Sequence, residues 1–293
     1  MPEGDTIYRT AKTLRAVLEG RELVRASSAR TDLASRIAAL AGRSIVSVES
    51  RGKNLLIHFD DETVLYTHMK MTGSWHVYRP GEVWRKPRRR ACCVLETDAF
   101  VAVCFSAPMV ELLTPWQVKA HPALRPLGPD LLAPEPDIDE ILTRLEAADE
   151  LSIGEGLMTQ KLLAGIGNVY KSETLFLCRV DPFAVIASLD DSQREQLVRT
   201  ARALMMANLD SGPRRTRFEL SDRGRKQRHW VYGRRGRPCR RCGTRIQMRR
   251  QGLAGRSTYF CPRCQSVGRY SCADRHAFAR MLRDPARHLR GKR

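Results

Sequence analysis

The sequence CRRCGTRIQMRRQGLAGRSTYFCPRC, residues 239–264, contains two Cys-x-x-Cys pairs, one at each end. Each pair forms a tight turn that directs two thiolates at one metal ion, and this spacing is typical of a zinc site whose intervening residues form a hairpin. Because four sulfurs complete a tetrahedral shell, we expect one structural Zn²⁺ ion with no open position for chemistry. The predicted ligands are Cys239, Cys242, Cys261 and Cys264.

The positive charge of the chain is concentrated around this cysteine segment. The whole chain holds 51 basic and 32 acidic residues, a formal net charge of +19. Residues 211–293 hold 25 basic and 4 acidic side chains, whereas residues 1–210 hold 26 and 28. Such a concentration of positive charge favours binding of a polyanion such as a nucleic acid backbone. No apolar run is long enough to span a membrane and the first residues form no secretory leader, so we expect a soluble intracellular protein.

Two hydrophobic patterns divide the first half of the chain. Apolar residues recur at helical spacing from Ile7 to Leu18, which predicts a helix with one buried face. Between residues 43 and 105, runs rich in β-branched and aromatic residues alternate with turn sequences at 60–62 and 97–99. We expect these runs to form an antiparallel sandwich or barrel on which the helix packs. The predicted strands are SIVSVE, NLLIHF, TVLYTHM, ACCVLE and FVAVCF.

Beyond the strands the pattern becomes helical. A proline-rich stretch predicts a linker at residues 122–136, and a connection rich in Gly, Pro and Arg follows the helical part at residues 211–236. The helices predicted between them span residues 138–148, 158–163, 169–178 and 192–209.

The N-terminus offers a possible nucleophile. Removal of Met1 would leave Pro2 as a free secondary amine. An α-amino group has a pKa of about 8, well below that of lysine, so it is a readier nucleophile at neutral pH and can form a Schiff base. Glu3 places a carboxylate beside it. Two residues alone also fit an ordinary frayed terminus, so this interpretation depends on the rest of the chain.

Four separated motifs connect these features. They are PEGDT at residues 2–6, RGKNLLI at 51–57, QKLLAGIGNVYKSETLF at 160–176 and GRSTYFCPRCQ at 255–265. Through these motifs the chain resembles the bacterial DNA glycosylases of the formamidopyrimidine-DNA glycosylase and endonuclease VIII family, and it is most similar to the endonuclease VIII branch.

The resemblance implies an α+β multidomain fold with DNA held between the domains. An N-terminal helix and an antiparallel β-sandwich are followed by a helix-two-turn-helix domain with a C-terminal four-cysteine zinc finger. The expected organisation is a catalytic β-sandwich domain at residues 1–121, a linker at 122–136, the helix-two-turn-helix domain at 137–229, the zinc finger at 230–265 and a basic tail at 266–293.

The resemblance also implies four catalytic residues. Pro2 would attack C1′ of a damaged nucleotide, and Glu3 would act as the general acid that helps to open the sugar. Lys53 matches a hairpin lysine that contacts phosphate during strand cleavage. Arg256 matches an arginine that grips the phosphate beside the lesion, for which a guanidinium fork is well suited. An ordinary exposed lysine is the alternative for Lys53.

Five further positions are expected to support DNA binding. Asn168 would contact a phosphate next to the lesion, with support from Lys161, and Gly167 would let the backbone approach closely. An ordinary helix-loop-helix turn is the alternative. Glu173 matches a supportive acidic position near the opening of the active site. Met71 matches an apolar side chain that fills the gap left by a flipped base, although a core methionine fits its position nearly as well.

The implied function is a bifunctional DNA glycosylase and AP lyase of base excision repair, acting as a monomer on damaged double-stranded DNA in the bacterial cytoplasm, at the nucleoid. Purine-specific members carry an Arg-Arg-Phe-Gly-type loop, whereas this chain has FSAPMVELL at residues 105–113. Oxidised pyrimidines are therefore the expected substrates. The alternatives are a glycosylase specific for 8-oxoguanine and formamidopyrimidine, or a noncatalytic zinc-ribbon protein that binds damaged DNA.

Overall fold

The computed structural model describes residues 2–210, 212–218 and 228–266. The chain divides into two compact units, residues 1–132 and 133–293. From residue 267 onward the predicted basic tail lies outside the described residues. Within the described part of the chain, no helix combines the length and apolar character that crossing a membrane requires.

The first unit is a β-sandwich with an N-terminal helix. Two four-stranded antiparallel sheets have the strand orders β1-β6-β7-β5 and β2-β3-β4-β8. The helices are α1 (Gly4–Leu18), α2 (Ala34–Ala38) and α3 (Pro115–Ala120). The strands are β1 (Arg25–Ser27), β2 (Ile45–Arg51), β3 (Asn54–Phe59), β4 (Val64–His68), β5 (Ser74–Tyr78), β6 (Ala91–Glu96), β7 (Val101–Phe105) and β8 (Met109–Leu113).

One apolar core joins α1 to the inner faces of the sandwich. The helical repeat that ends at Leu18 is buried, and it shares a cluster with Leu55 and Ile57 of β3 and with Leu95 of β6. The residue between Leu55 and Ile57, Leu56, faces a second cluster on the opposite side of the sheet. Strand β3 is therefore covered on both faces, which explains why its sequence is a continuous apolar run and does not alternate.

The predicted helix, the five predicted strands and both predicted hairpin turns of this unit are confirmed. Strands β1, β5 and β8 were missed, because they are short and lack a clear period-two pattern. Helix α3 was also missed, although it carries a start signal: the Thr114 hydroxyl and the Gln117 side chain form a reciprocal capping box around Pro115.

The second unit is helical and ends in a β-hairpin. Its helices are α4 (Ile138–Glu146), α5 (Ile153–Gly156), α6 (Asn168–Leu177) and α7 (Asp191–Met206), and its strands are β9 (Gln247–Gln251) and β10 (Arg256–Phe260). Helices α4, α6 and α7 confirm three of the four predicted helices of this unit.

The helix predicted at residues 158–163 is wrong, because this segment consists of turns. The Gln160 amide nitrogen donates to the carbonyls of Met158 (3.0 Å) and Ile166 (3.1 Å), and its oxygen accepts from the Gly165 N–H (3.1 Å). This side chain satisfies the backbone groups that a helix would otherwise pair. Gly165 has a φ of 106° and could not continue a helix.

Candidate active site and zinc module

The predicted nucleophile lies directly before the first buried turn of α1. Glu3 caps the helix through its carbonyl, which accepts from the N–H groups of Thr6 (2.9 Å) and Ile7 (3.2 Å). The Glu3 and Asp5 side chains are fully buried, and Pro2 is half-buried. The packing of α1 on the sandwich therefore sets the position of Pro2 and places a buried carboxylate next to it.

Lys53 lies at the turn of the β2–β3 hairpin. The strands pair up to Arg51 and Asn54, and Gly52 turns with a φ of 59°, in the left-handed region that favours glycine. The Gly52 N–H donates to Asp130 Oδ2 at 2.6 Å, and the second oxygen of Asp130 accepts from the Leu132 N–H at 2.9 Å. Asp130, which sequence analysis missed, therefore ties this turn to the segment that follows the sandwich.

Burial governs the protonation of Asp130 and of His68. Burial raises the pKa of Asp130 even though the N–H groups of Leu132 and Gly52 oppose the shift. The pKa of His68 is lowered by burial and by the charges of Lys53 and Lys70. The His68 ring is therefore neutral at pH 7, and its Nδ1 accepts the Lys70 N–H at 3.1 Å.

Met71 projects from the turn between β4 and β5. Its side chain is 67% exposed, whereas Met69, two residues earlier, is 2% exposed. The turn is tight: the Gly73 N–H donates to the Met69 carbonyl at 2.8 Å, and a Cβ at Gly73 would lie 2.7 Å from the Met69 Cα. The alternative of a core methionine therefore does not hold for Met71, because the turn presents its side chain to solvent.

The connection between β7 and β8 is three residues long. Strand β7 ends at Phe105 and β8 begins at Met109, with Ser106 in the left-handed region at φ 50°. The segment noted above as FSAPMVELL is therefore mostly strand. It has no long loop that could carry an Arg and Phe pair.

In the second unit, two of the three predicted phosphate-binding residues lie at the start of α6. Gly167 is the N-cap in an extended conformation, and Asn168 is the first helical residue. Asn168 is only 6% exposed, yet its Oδ1 has no hydrogen-bond partner among the described residues. A buried amide oxygen is costly to leave unpaired, so this atom is available to accept a hydrogen bond from a group outside the described residues. Lys161 is exposed, and its carbonyl accepts from the Arg144 guanidinium at 2.6 Å.

Glu173 lies in the interior of the second unit. Its side chain is fully buried on α6. One carboxylate oxygen accepts from the N–H groups of Val231 (2.8 Å) and Tyr232 (2.7 Å). The other accepts from the Trp230 N–H at 2.7 Å and from the Thr216 hydroxyl. Four donors hold this carboxylate, so it fastens the chain entering the zinc module to α6.

The four predicted zinc ligands converge. Their sulfurs all lie within 4.8 Å of one another, including Cys239 to Cys264 at 3.9 Å and Cys242 to Cys261 at 3.5 Å. A tetrahedron with Zn–S bonds of about 2.3 Å has S–S edges of about 3.8 Å, so the cluster fits zinc. Burial raises the pKa of Cys242, but hydrogen bonds with Thr244 outweigh it and lower the pKa to about 6.

Arg256 begins β10, at the exposed end of the zinc hairpin. It is paired with Gln251 across the hairpin, and the turn between them contains Gly252 (φ 68°) and Gly255 (φ 56°). Arg256 is exposed, as is Leu253 at the tip. The hairpin therefore presents its arginine to solvent at a defined register.

Sequence reasoning missed the groups that support these residues. Asp130 follows a Gly-Pro pair and carries no signal of its own. Gln160 and Lys171 lie inside the third motif, but their roles depend on folded contacts with Gly165 and Thr258. No sequence pattern could have revealed these contacts, because the partners lie in separate segments or in turns.

Comparison with known proteins places all of these elements in one family. The formamidopyrimidine-DNA glycosylase N-terminal domain matches residues 1–108, the formamidopyrimidine-DNA glycosylase H2TH domain matches residues 127–219, and the zinc finger found in FPG and IleRS matches residues 236–267. The zinc-finger match and the sulfur cluster confirm the prediction of one structural zinc ion.

Individual proteins match along most of their length. A probable endonuclease 8 2 from Streptomyces coelicolor is 39% identical over 91% of this chain and 94% of its own length. A DNA-(apurinic or apyrimidinic site) lyase Nei2 from Mycolicibacterium smegmatis is 36% identical over 91% of this chain and 100% of its own. The solved complex of Lactococcus lactis Fpg (MutM) with DNA containing N7-benzyl-Fapy-dG is 24% identical, with a TM-score of 0.75, covering 90% of this chain and 100% of that one.

The predicted fold class is therefore confirmed, and the structural likeness agrees with the strand, helix and zinc-hairpin order described above. Three consecutive domain matches, together with these two relatives that align along nearly their whole length, identify the chain as a member of the formamidopyrimidine-DNA glycosylase and endonuclease VIII family.

Proposed function

We propose that this chain is a bifunctional DNA glycosylase and AP lyase of base excision repair. It removes oxidised bases, chiefly pyrimidines, from damaged double-stranded DNA and then cuts the strand. Its relatives carry the names endonuclease 8 and DNA-(apurinic or apyrimidinic site) lyase at 33–39% identity. The observation that carries the proposal is the N-terminus: Pro2 is held at the start of a packed helix, beside the fully buried Glu3.

Base removal begins at the Pro2 nitrogen. Its lone pair forms a bond to C1′, the glycosidic bond breaks with its electrons going to the base, and the base takes up the proton that the Pro2 nitrogen then releases, which restores the nitrogen lone pair. Glu3 donates a proton to O4′ as the sugar ring opens, and the nitrogen lone pair then forms an iminium at C1′. Met71, exposed on its turn, occupies the space that the flipped nucleotide leaves.

Strand cleavage follows from the iminium. The cation withdraws electrons from C1′, so C2′ loses a proton and the C3′–O bond breaks, with the phosphate leaving with the electron pair. Loss of a C4′ proton then breaks the C5′–O bond in the second elimination. Lys53 and Arg256 stabilise the departing phosphates, and Asn168 and Lys161 hold the adjacent backbone. Hydrolysis of the iminium frees Pro2.

The zinc site has a supporting role. Cys239, Cys242, Cys261 and Cys264 would hold the ion, which folds the hairpin that carries Arg256. Four protein sulfurs leave no coordination position for substrate, so no step of the reaction needs the metal. We infer that the protein works as a monomer on nucleoid DNA in the cytoplasm.

The short β7–β8 connection favours oxidised pyrimidines over purines. Residues 106–108 form a tight turn with no room for an Arg and Phe wedge. The purine-specific alternative is favoured by the solved relatives, whose DNA contains 8-oxoguanine or formamidopyrimidine lesions. Excision of thymine glycol and of 8-oxoguanine opposite cytosine, compared at equal enzyme concentration, separates the two. Faster excision of thymine glycol is expected, and faster excision of the purine would overturn the assignment.

Borohydride trapping tests the enzyme against a noncatalytic binding protein. The untagged protein should give a covalent adduct with duplex that contains an abasic site or an oxidised pyrimidine. Pro2→Gly should reduce adduct formation by about 100-fold or more, because a primary glycine amine is placed differently against C1′. Val46→Ala, an exposed residue of β2, is the matched control. Tight binding of damaged duplex without any adduct would support the noncatalytic alternative.

A further inference from the structure

A chain of buried polar side chains runs through the second unit from α6 to α5. Lys171 Nζ donates to Thr258 Oγ1 at 2.7 Å, and the Thr258 hydroxyl donates to Gln251 Oε1 at 2.7 Å. Gln251 Nε2 donates to Ser152 Oγ at 2.8 Å, and the Ser152 hydroxyl donates to Glu155 Oε2 at 2.6 Å. Lys171, Thr258 and Gln251 are each at most 7% exposed. We call these five residues the polar chain.

The hydrogen bonds that join the polar chain all point in the same direction. They begin at the ammonium of Lys171 and end at the carboxylate of Glu155, and each side chain between them accepts once and donates onward. Hydrogen bonds in such a sequence polarise one another, so the chain is stronger than isolated pairs. A further bond, from Gln251 Nε2 to the Pro182 carbonyl at 2.8 Å, uses the remaining amide hydrogen. Because each middle side chain must both accept and donate a hydrogen bond, only side chains with both kinds of group can complete the polar chain.

Two glycines allow the zinc hairpin to approach α5 closely. A Cβ at Gly154 would lie 2.5 Å from Gln251 Oε1, and a Cβ at Gly252 would lie 2.8 Å from Glu155 Oε1. Both distances are shorter than side chains tolerate, so larger residues would force the Gln251 or Glu155 side chain out of the polar chain. The backbone also contributes, because the Tyr259 N–H donates to Ser172 Oγ at 3.3 Å.

The polar chain links the two predicted phosphate ligands of this unit. Lys171 lies three residues after Asn168, which is about one turn along α6. Thr258 lies two residues after Arg256 on β10, and Gln251 is the cross-strand partner of Arg256. The polar chain therefore connects the helix that carries Asn168 to the hairpin that carries Arg256.

We propose that the polar chain is a positioning device that fixes Arg256 relative to Asn168, so that both bind the backbone of one DNA strand at a set spacing. This inference rests on the proposed function, since it uses the phosphate-binding roles of both residues. Thr258 and Lys171 are positioning residues: they act through Arg256 and do not themselves contact the reacting atoms.

The test replaces the hydroxyl of Thr258 at constant shape. Thr258→Val breaks the polar chain between Lys171 and Gln251, Thr258→Ser retains the hydroxyl, and Ser257→Ala is the control at the adjacent position of the same strand. Kd is measured for duplex containing an uncleavable abasic analogue across a salt series, with zinc content and Tm checked for each variant. Thr258→Val should weaken binding about tenfold and reduce the slope of log K against log salt by about 0.9, as the loss of one phosphate contact does. Thr258→Ser and Ser257→Ala should stay within about twofold of the parent protein.

Combination with Arg256→Ala decides whether Thr258 acts through the arginine. In that background, Thr258→Val should have almost no further effect on either Kd or slope, because the contact is already lost. Full additivity of the two substitutions, or an unchanged slope in Thr258→Val with zinc retained, would overturn the proposal. Failure of the proposed function would instead appear as a parent protein that binds damaged duplex but never forms a borohydride adduct.

Discussion

The β2–β3 hairpin of the first unit and the β9–β10 hairpin of the second present the same kind of group on different supports. Each turns at a glycine in the left-handed region, Gly52 or Gly252, and each carries a basic residue, Lys53 or Arg256. Strand β3 is buried along nearly its whole length, whereas β9 buries only Gln251. Apolar burial stabilises the first hairpin, while metal ligation and polar contacts stabilise the second.

The difference shows that a protein can position a cation mainly by apolar burial or mainly by metal ligation and polar contacts. A two-stranded hairpin is marginal in water unless something else supports it. The sandwich supplies that support through non-directional burial and adds one carboxylate, Asp130, at the turn. The zinc hairpin buries apolar side chains only at its base, where Phe260 and Ile246 are buried. Towards its tip it depends on directional bonds, through the metal ligands and the polar chain. We therefore expect the two hairpins to respond differently to the same kinds of perturbation.

The largest expected effect comes from removing a zinc ligand. Cys261→Ser should lose the metal and unfold the β9–β10 hairpin, because structural zinc contributes on the order of 10 kcal/mol to such modules. Strand cleavage should fall below detection while the β-sandwich stays folded, which NMR spectra of the first unit can show. Cys178→Ala removes a cysteine outside the quartet and should retain zinc. Cleavage at the parent rate by zinc-free protein would contradict the account.

A smaller effect is expected at the turn of the first hairpin. Asp130→Asn replaces one of two accepting oxygens with an NH₂ group, so the N–H of either Gly52 or Leu132 loses its acceptor. The turn should loosen around Lys53, and the rate of strand cleavage should fall about tenfold, a change of roughly 1.4 kcal/mol in the barrier.

Asp98→Asn, on the exposed β6–β7 turn, provides the control for this substitution. Single-turnover cleavage of abasic duplex measures both variants. Equal rates for Asp130→Asn and Asp98→Asn would show that sandwich burial alone positions Lys53.

The smallest effect concerns the ion pairs of β2. Burial raises the pKa of Glu49, but hydrogen bonds from His58 and Arg51 outweigh it and lower the pKa to about 2. A lowered pKa means that the carboxylate stabilises the fold at pH values above its ordinary pKa of about 4.3, and that this contribution is lost as the pH falls towards 2. Glu49 is partly exposed, so we expect less than about 1 kcal/mol.

Urea unfolding of Glu49→Gln and of the parent protein from pH 7 to pH 2.5 measures that contribution. The difference in free energy of unfolding should be greatest at neutral pH and shrink on acidification. A difference that grows with acidity would reverse the sign of the argument. The change in free energy of unfolding caused by Glu49→Gln should be far smaller than that caused by Cys261→Ser, because the β2–β3 hairpin depends mainly on apolar burial.

Local sequence patterns predicted the parts of the molecule whose structure depends on residues that are close together in the chain. The repeat ending at Leu18 predicted α1, apolar runs such as NLLIHF predicted strands, and the spacing of four cysteines predicted the sulfur cluster. The turns at residues 158–163 were predicted as helix because the contacts of Gln160 cannot be read from spacing. Glu173 was expected near an opening, yet its four hydrogen-bond donors come from distant segments that contain Thr216 and the run from Trp230 to Tyr232.

Long-range polar contacts therefore mark the limit of sequence reasoning for this chain. Lys171 reads as one more basic residue in a basic protein, and only the folded contact with Thr258 distinguishes it. Asp130 reads as a linker residue, and only its bond to Gly52 places it at the Lys53 turn. In both cases the two partners are far apart along the chain, beyond the reach of any local pattern.

Peptide mapping of the borohydride-trapped adduct tests the central claim most directly. Untagged protein is trapped on abasic duplex, digested with protease and nuclease, and analysed by mass spectrometry. The account predicts that the sugar remnant is attached to the N-terminal peptide at Pro2, with Lys53 unmodified. Attachment at Lys53 or another lysine, with an unmodified Pro2, would contradict it.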